Sequence, residues 1–423
     1  MSTIHRERRG TPVAVITGLG VVSACGLGKD RFWKSLRQGR SGIARLSMFD
    51  VSGSAPECRI GAEVLDFRPA EWMDARVVRS AGRFSQFAVA ATRMALDDSR
   101  IELSSIPPHE IGVAFGTSMN GLADVFLPQL EHHLAGDGAA PWTAREYPGH
   151  AATVHAAKTV GAEGPWATIA SACGGGLDAI AWAADQIRRD GATIAIAGAT
   201  ETPLSAITLE GFRLFGLLAR WEGNPSQASR PFDKFRNGLV VGEGAAAVIV
   251  EEEAAARARG AHIYGRILAS ASTAEGLSRN QVEMSGESLA RCVRQTLREA
   301  GRSVTDLDYI SAHGNSIPSH DAAETAGIKL ALGDRAYSVP VSSIKSMCGQ
   351  AFAASSAMQV VASCLAMRDG VLPPTINYTE LDPTCDLDYV PNTARAARVR
   401  TVLVHARGIG GSHTTMLLEG ANG

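Results

Sequence analysis

The chain has 423 residues, 45% of them apolar, 20% charged and 6% aromatic, with a formal net charge of −2. That balance excludes intrinsic disorder and a nucleic-acid binder dependent on a basic excess, and the length allows a two-lobed unit with an ample core. No apolar stretch approaches the roughly 20 residues needed to span a bilayer, and the N-terminal MSTIHRERRG lacks the apolar segment of a signal peptide, so the expected location is cytoplasmic.

In chain order, short apolar runs alternate with amphipathic stretches, the pattern of an α/β fold. The basic run Arg6 to Arg9, broken by Glu7, reads as a solvated tail. Val13–Thr17 reads as a strand closed by Gly18-Leu19-Gly20, too poor a glycine pattern for a dinucleotide site. A helix is expected over Phe84–Ser99 and a strand over Gly112–Phe115. Asn120–Ala152 reads as a long irregular excursion, with His132-His133 a solvated pair. Helix 177–189 and strand 193–197 follow, then strand 245–250, helix 251–259, helix 286–300, strand 309–312, helix 357–367 and strand 401–404.

Seven cysteines (25, 58, 173, 292, 348, 364 and 385) are widely spaced, with no CxxC pair. That argues against a disulfide framework or zinc cluster, so most read as buried thiols and no metal site is expected. A faint internal repeat pairs Gly116-Thr117-Ser118 with Gly314-Asn315-Ser316, and Ser171-Ala172-Cys173-Gly174 with Ser346-Met347-Cys348-Gly349. It suggests a duplicated unit whose related loops face each other.

Three segments carry chemistry. In the first, Leu177, Ile180, Ala181, Ala184 and Ile187 form one helical face, and the small residues around Cys173 permit a sharp turn into that helix. A thiolate at a helix N-terminus is favoured by free amides and the macrodipole, although Cys173 alone is as readily an inert packed thiol. In the second, His313-Gly314 ends a strand, and Asp321 and Glu324 share a helical face. In the third, Lys345 lies among small and apolar residues and needs a carboxylate if buried, Glu324 being the candidate.

Together these segments, with VAVITGLGVVSACGLG, IGVAFGTS, SRPFDKFRNGLVVGEGAAAVIVEEEAAARARG and GIGGSH, resemble the β-ketoacyl-[acyl-carrier-protein] synthase family of elongating ketosynthases over nearly the whole chain. The resemblance implies a thiolase-like duplicated α/β fold of alternating helix and sheet layers. Its N-terminal half would be 1–265, with the nucleophilic Cys, and its C-terminal half 266–423, with His, Lys, Gln and the gate loop. It implies a homodimer, or a heterodimer with a related subunit, and no bound cofactor, the substrates riding on the phosphopantetheine of an acyl carrier protein. The implied catalytic residues are Cys173, His313, Gln350, Lys345 and Glu324, with Asp321 a companion acid and the amides of Cys173 and Ile409 an oxyanion hole. The Cys173 sulfur is expected at the mouth of a narrow tunnel, opposite the His313 imidazole.

The chain departs from the family pattern at the site itself. Gln350 replaces the second His, and Asn315 and Ile317 replace the two Thr that hold the pantetheine arm. Arg407 and Ile409 replace the two gate Phe, His405 a usual Asn and Leu239 a pocket Phe. Arg407, Asn315, Ile317 and Leu239 are therefore the expected substrate-binding positions, with Arg407 suited to a carboxylate or polar acyl group. The expected activity is decarboxylative condensation of a Cys173-bound acyl group with a malonyl unit, in polyketide or fatty-acid assembly. The alternatives are an acyltransferase passing that acyl group to an amine, alcohol or thiol without decarboxylation, and a subunit of a ketosynthase heterodimer.

Overall fold

The computed structural model describes residues 12–277 and 281–421, and the basic run at Arg6–Arg9 lies outside them. The main strands are β1 Ala14–Ser23, β2 Ile111–Gly116, β3 Trp166–Ile169, β4 Ile194–Glu201 and β5 Gly244–Glu252, then β6 Gly265–Ala274, β7 Tyr309–Ser311, β8 Val341–Ser342, β9 Thr401–Gly408 and β10 Ser412–Glu419. Their order in the sheet is β8-β7-β9-β10-β6-β1-β5-β4-β2-β3, with a short strand Gly26–Leu27 paired to the end of β1.

The order 1-5-4-2-3 of the first five strands returns as 6-10-9-7-8 in the second five. In both sets the first, fifth and fourth strands pair antiparallel, while the fourth, second and third run parallel. The sets join where β1 pairs with β6, Val15 opposite Arg266 and Ile16 opposite Gly265. The fold is thus a duplicated α/β unit.

Helix α1 (Arg83–Ser99) packs on β1 and β5, and α3 (Glu287–Glu299) packs on β6 and β10. Between the halves, α2 (Gly175–Arg188) and α5 (Phe352–Asp369) pack on each other. Every residue of α5 from Phe352 to Ala366 is buried, so it shows no one-sided apolar stripe. It begins before the expected Ala357 because buried serines bond to its first turn: Ser355 Oγ accepts from Ala351 N, and Ser356 Oγ donates to Ala353 O. The remaining long helix of the C-terminal half, α4 (Pro318–Leu332), packs against α3.

Three expectations change. The first strand does not stop at Gly18-Leu19-Gly20 but runs to Ser23. A Cβ at Gly20 would lie 1.9 Å from Ala91 O, so glycine there lets α1 press against the strand. The stretch 120–152 is largely helical: a π-turn at Leu122–Phe126 runs into helix Leu127–Leu134, followed by helix Thr143–Glu146 and the start of His150–Val160. Phe126 against Tyr147 and the Gly121 N–H on Tyr147 O tie its ends together. Strands β3, β6, β8 and β10 went unread; β8 is only two residues long, and β6 and β10 are rich in Ser and Thr, which fit a pleated surface without forming an apolar run.

Candidate active site

After β3 the chain makes a tight turn, Ala172–Gly174, into α2. Ala172 is held at φ 52°, a left-handed conformation costing a residue with a Cβ about 1–2 kcal/mol. Against it lies the β9–β10 turn, where a Cβ on Gly408 would come 3.0 Å from that of Ala172. Ile409 in that turn is exposed, and Gly410 and Gly411 adopt φ 99° and 82°. The structure thus brings the Cys173 and Ile409 turns together.

Cys173 is 3% exposed and belongs to an apolar cluster with Leu239, Val241, Ile317 and Phe352, against which Met119 packs. The thiol is therefore enclosed rather than open at a tunnel mouth. Burial pushes it up to about 11, against the opposing charge of Lys345, the Gln350 hydrogen bond and Arg407. Desolvation outweighs the expected help of the helix terminus, and the resting group is a neutral thiol. Gln350 Nε2 donates to Cys173 Sγ at 3.1 Å, while Gln350 Oε1 is buried with no partner among the described residues.

His313 follows β7 and is 2% exposed. Its ring is held well below the usual histidine range, first by burial and then by the cation of Lys345. The Arg407 main-chain N–H donates to His313 Nδ1 at 3.2 Å, which leaves the ring hydrogen of the neutral imidazole on Nε2. Both oxygens of Glu324 grip the same turn, Oε1 accepting from His313 N and Oε2 from Gly314 N, each at 2.7 Å. Asp321 does the like one step on, accepting from Asn315 N at 3.0 Å and Phe232 N at 2.8 Å; burial raises it to about 7.

Lys345 does not pair with Glu324 as expected. Its ammonium donates to His313 O at 2.6 Å and to Gln359 Oε1 at 3.0 Å, and burial lowers it to about 8. Glu324 instead takes His405 Nδ1 at 2.5 Å, and this contact with the two main-chain donors keeps its carboxyl below the usual range despite burial. Gln359 was missed because nothing local separates it from any other polar residue on a helix. Glu201 was missed too, although a carboxylate closing the buried strand IAIAGATE is a readable signal. It accepts from Ser118 N and, at 3.1 Å, from Met119 N, and burial raises it to about 7.

Of the four expected substrate-binding positions, Leu239 and Ile317 line the apolar cluster with Cys173. Asn315 turns inward, its Oδ1 accepting from Ile317 N at 3.1 Å and its amide nitrogen 3.0 Å from His320 Nδ1. Arg407 meets an internal carboxylate, Glu275, at 2.9 Å and is 4% exposed. A cleft of about 620 Å³ lined by Asp74, Arg93, Glu146 and His155 shares no residue with this site. No cluster able to hold a metal ion occurs among the described residues, and none of their helices is long and apolar enough to cross a membrane.

Comparison with known proteins bears on the family and the fold. Residues 11–256 match the beta-ketoacyl synthase N-terminal domain and 264–379 its C-terminal domain. The chain is 38% identical over 432 residues to the tetracenomycin polyketide synthase ketoacyl synthase alpha subunit of Streptomyces glaucescens, covering 98% of each chain. It is 37% identical over 411 residues to 3-oxoacyl-[acyl-carrier-protein] synthase 2 of Coxiella burnetii, covering 96% of this chain and 98% of that one. A type II PKS acyl-carrier protein in complex with its ketosynthase bound to the hexaketide superposes with a TM-score of 0.91 at 32% identity, over 97% of this chain and 100% of that one. The ishigamide ketosynthase/chain length factor does so with a TM-score of 0.91 at 31% identity, over 98% and 100%. With both domains matched and relatives aligned nearly end to end, this chain belongs to the beta-ketoacyl synthase family, in the thiolase-like duplicated fold.

Proposed function

We propose that this protein is a condensing ketosynthase acting in the cytoplasm. It takes an acyl group from the phosphopantetheine of an acyl carrier protein onto Cys173 and joins it to a malonyl unit in polyketide-type assembly. The observation carrying this reading is a thiol enclosed by apolar side chains and bonded by Gln350, in the same chain as a buried neutral His313 with its hydrogen on Nε2.

Acyl transfer begins with attack of the Cys173 sulfur on the carrier thioester. The proton lost from the thiol leaves with the departing pantetheine sulfur, so no strong base is required. The charge of Lys345 lowers the cost of the developing thiolate. The tetrahedral oxyanion is assigned to the amides of Cys173 and Ile409, on turns that abut. When the malonyl unit loses carbon dioxide, negative charge gathers on its thioester oxygen. His313 Nε2–H and the second amide hydrogen of Gln350 are the donors assigned to it, and neither needs a change of protonation. The enolate carbon then attacks the Cys173 thioester, the C–S bond breaks, a β-ketoacyl carrier product leaves, and the expelled Cys173 thiolate takes a proton from solvent to restore the neutral thiol. The exposed Ile409 turn, with its positive-φ glycines, is the part of the enclosure assigned to open.

The likeness to a ketosynthase/chain length factor supports a related chain as partner. Strand β3 ends the sheet with Trp166 exposed and offers an edge for it.

The test is mass spectrometry of the protein with acyl- and malonyl-carrier proteins, alone and with a co-expressed related subunit. The expected result is acyl mass on Cys173, carbon dioxide release and a β-keto product, all lost in Cys173→Ala. Transfer of the acyl group to an amine, alcohol or thiol without carbon dioxide release overturns the reading.

A further inference from the structure

Arg407 places a buried charge near the end of β9. Strand alternation puts it on the same face as His405, and it lies directly opposite His413 on β10. Its guanidinium is clamped: Nε and Nη2 each lie 2.9 Å from Glu275 Oε1, and Nη1 donates to His320 Nε2 at 3.0 Å. Glu275 also accepts from Glu283 N at 2.9 Å and contacts His413 Nε2 at 3.1 Å. These partners and Arg407 hold its carboxyl down to about 2 despite burial. From His413 the contacts continue to His405 at 3.1 Å and from there to Glu324, the carboxylate gripping the His313 turn.

The side chain of Arg407 is therefore spent inside the protein, while its main chain serves the site. The Arg407 N–H on His313 Nδ1 decides which ring nitrogen bears hydrogen. We propose that Arg407 is a positioning residue for His313, its clamp on Glu275 and His320 fixing the end of β9 so that its own N–H keeps the imidazole in the Nε2–H form. This proposal rests on the condensing reading above. It separates two steps that share Cys173: acyl transfer uses the amides of Cys173 and Ile409, whereas decarboxylation uses the His313 hydrogen. Because the Ile409 amide lies two residues beyond Arg407, loosening the clamp is expected to weaken both steps, the second more than the first.

The experiment measures both steps on the full chain: acyl mass on Cys173 from an acyl-carrier protein, and carbon dioxide released from a malonyl-carrier protein. Glu275→Gln removes the charge that holds the guanidinium. The double variant Glu275→Gln/Arg407→Met removes both charges, so no buried cation is left unpaired, and Glu275→Asp is the conservative variant. Glu275→Gln and the double variant are expected to lower carbon dioxide release about tenfold or more and to leave Cys173 acylation within about threefold, since misplacement of about 1 Å can cost about 10²-fold. Glu275→Asp is expected to recover most of the lost release. Unchanged release in folded Glu275→Gln overturns the proposal, as does equal loss of both steps in step with a lowered melting temperature. A changed preference between carboxylated and plain acyl thioesters also overturns it, in favour of substrate recognition. Wild-type protein that acylates Cys173 but releases no carbon dioxide overturns the condensing reading itself, an outcome the control separates from failure of the clamp.

Discussion

The loops after β2 and after β7 occupy equivalent places in the two halves, and one buried carboxylate grips the main chain of each. Glu201 accepts from Ser118 and Met119 in the first, and Glu324 from His313 and Gly314 in the second. The device is the same but its charge is not. Glu324 has His405 beside it and is held below the usual carboxylate range. Glu201 has no histidine beside it, and burial outweighs its hydrogen bonds from Ser118 and Met119 and raises it to about 7. The first loop presents Met119 to the apolar cluster around Cys173, and the second presents Ile317. At neutral pH the carboxylate behind the His313 loop is thus the more fully charged of the two.

The sharpest way to break this comparison is to neutralise both carboxylates. Glu324→Gln removes a charge and faces one main-chain N–H with an amide donor, so carbon dioxide release is expected to fall by about 10²-fold. Glu201→Gln resembles the protonated form of an acid raised to about 7 and is expected to cost less than about tenfold. Single-turnover assays of both variants decide it, and equal losses would erase the distinction. A second probe is Lys345, whose cation touches the carbonyl of His313 and has no counterpart bonded to the first loop in the described contacts. Its charge is lost as pH rises through about 8. The wild-type rate is expected to fall over that limb, while Lys345→Met is slower by about tenfold at neutral pH and lacks it.

Smaller effects concern stability. Glu201 and Asp321 are both raised to about 7, so the folded state holds protons that the unfolded chain releases from its ordinary range upward. Their contribution is full below the unfolded values and is lost as pH rises through about 7. Glu201→Gln is expected to flatten the fall of stability between pH 4.5 and about 7, read from urea midpoints across that window. The least effect is expected from Cys348→Ala. Although Ser346-Met347-Cys348-Gly349 echoes the Cys173 segment, the Cys348 sulfur lies against Cys25 at 3.1 Å, and its segment stops short of α5. Acyl labelling of Cys173 in that variant should stay within about twofold of wild type.

Much of the site was legible in the chain because glycine-rich turns and strand-end polar groups are local signals. Cys173, His313 and Lys345 stand out by the small residues around them and Gln350 by the resemblance to the family, and the structure brings Gln350 to Cys173 and Lys345 to His313. The partner of Lys345 was not legible: choosing Gln359 over Glu324 depends on how α5 crosses beneath β7 and β9, where Gln359 also donates to Ser311 O and His405 O. Nor was the partner of Arg407, since Glu275 lies 132 positions away and reaches it only across the sheet.

By itself the sequence determined the alternation of elements, the tight turn at Cys173 and the family, because those rest on short-range pattern and on motifs in fixed order. Only the tertiary structure decided that the thiol is enclosed and neutral, that Arg407 is bound to an internal carboxylate, and that the carboxylates behind two equivalent loops differ in charge. Burial and pairing set those properties, and both depend on which distant residues the fold brings within a few ångströms, which no local pattern encodes.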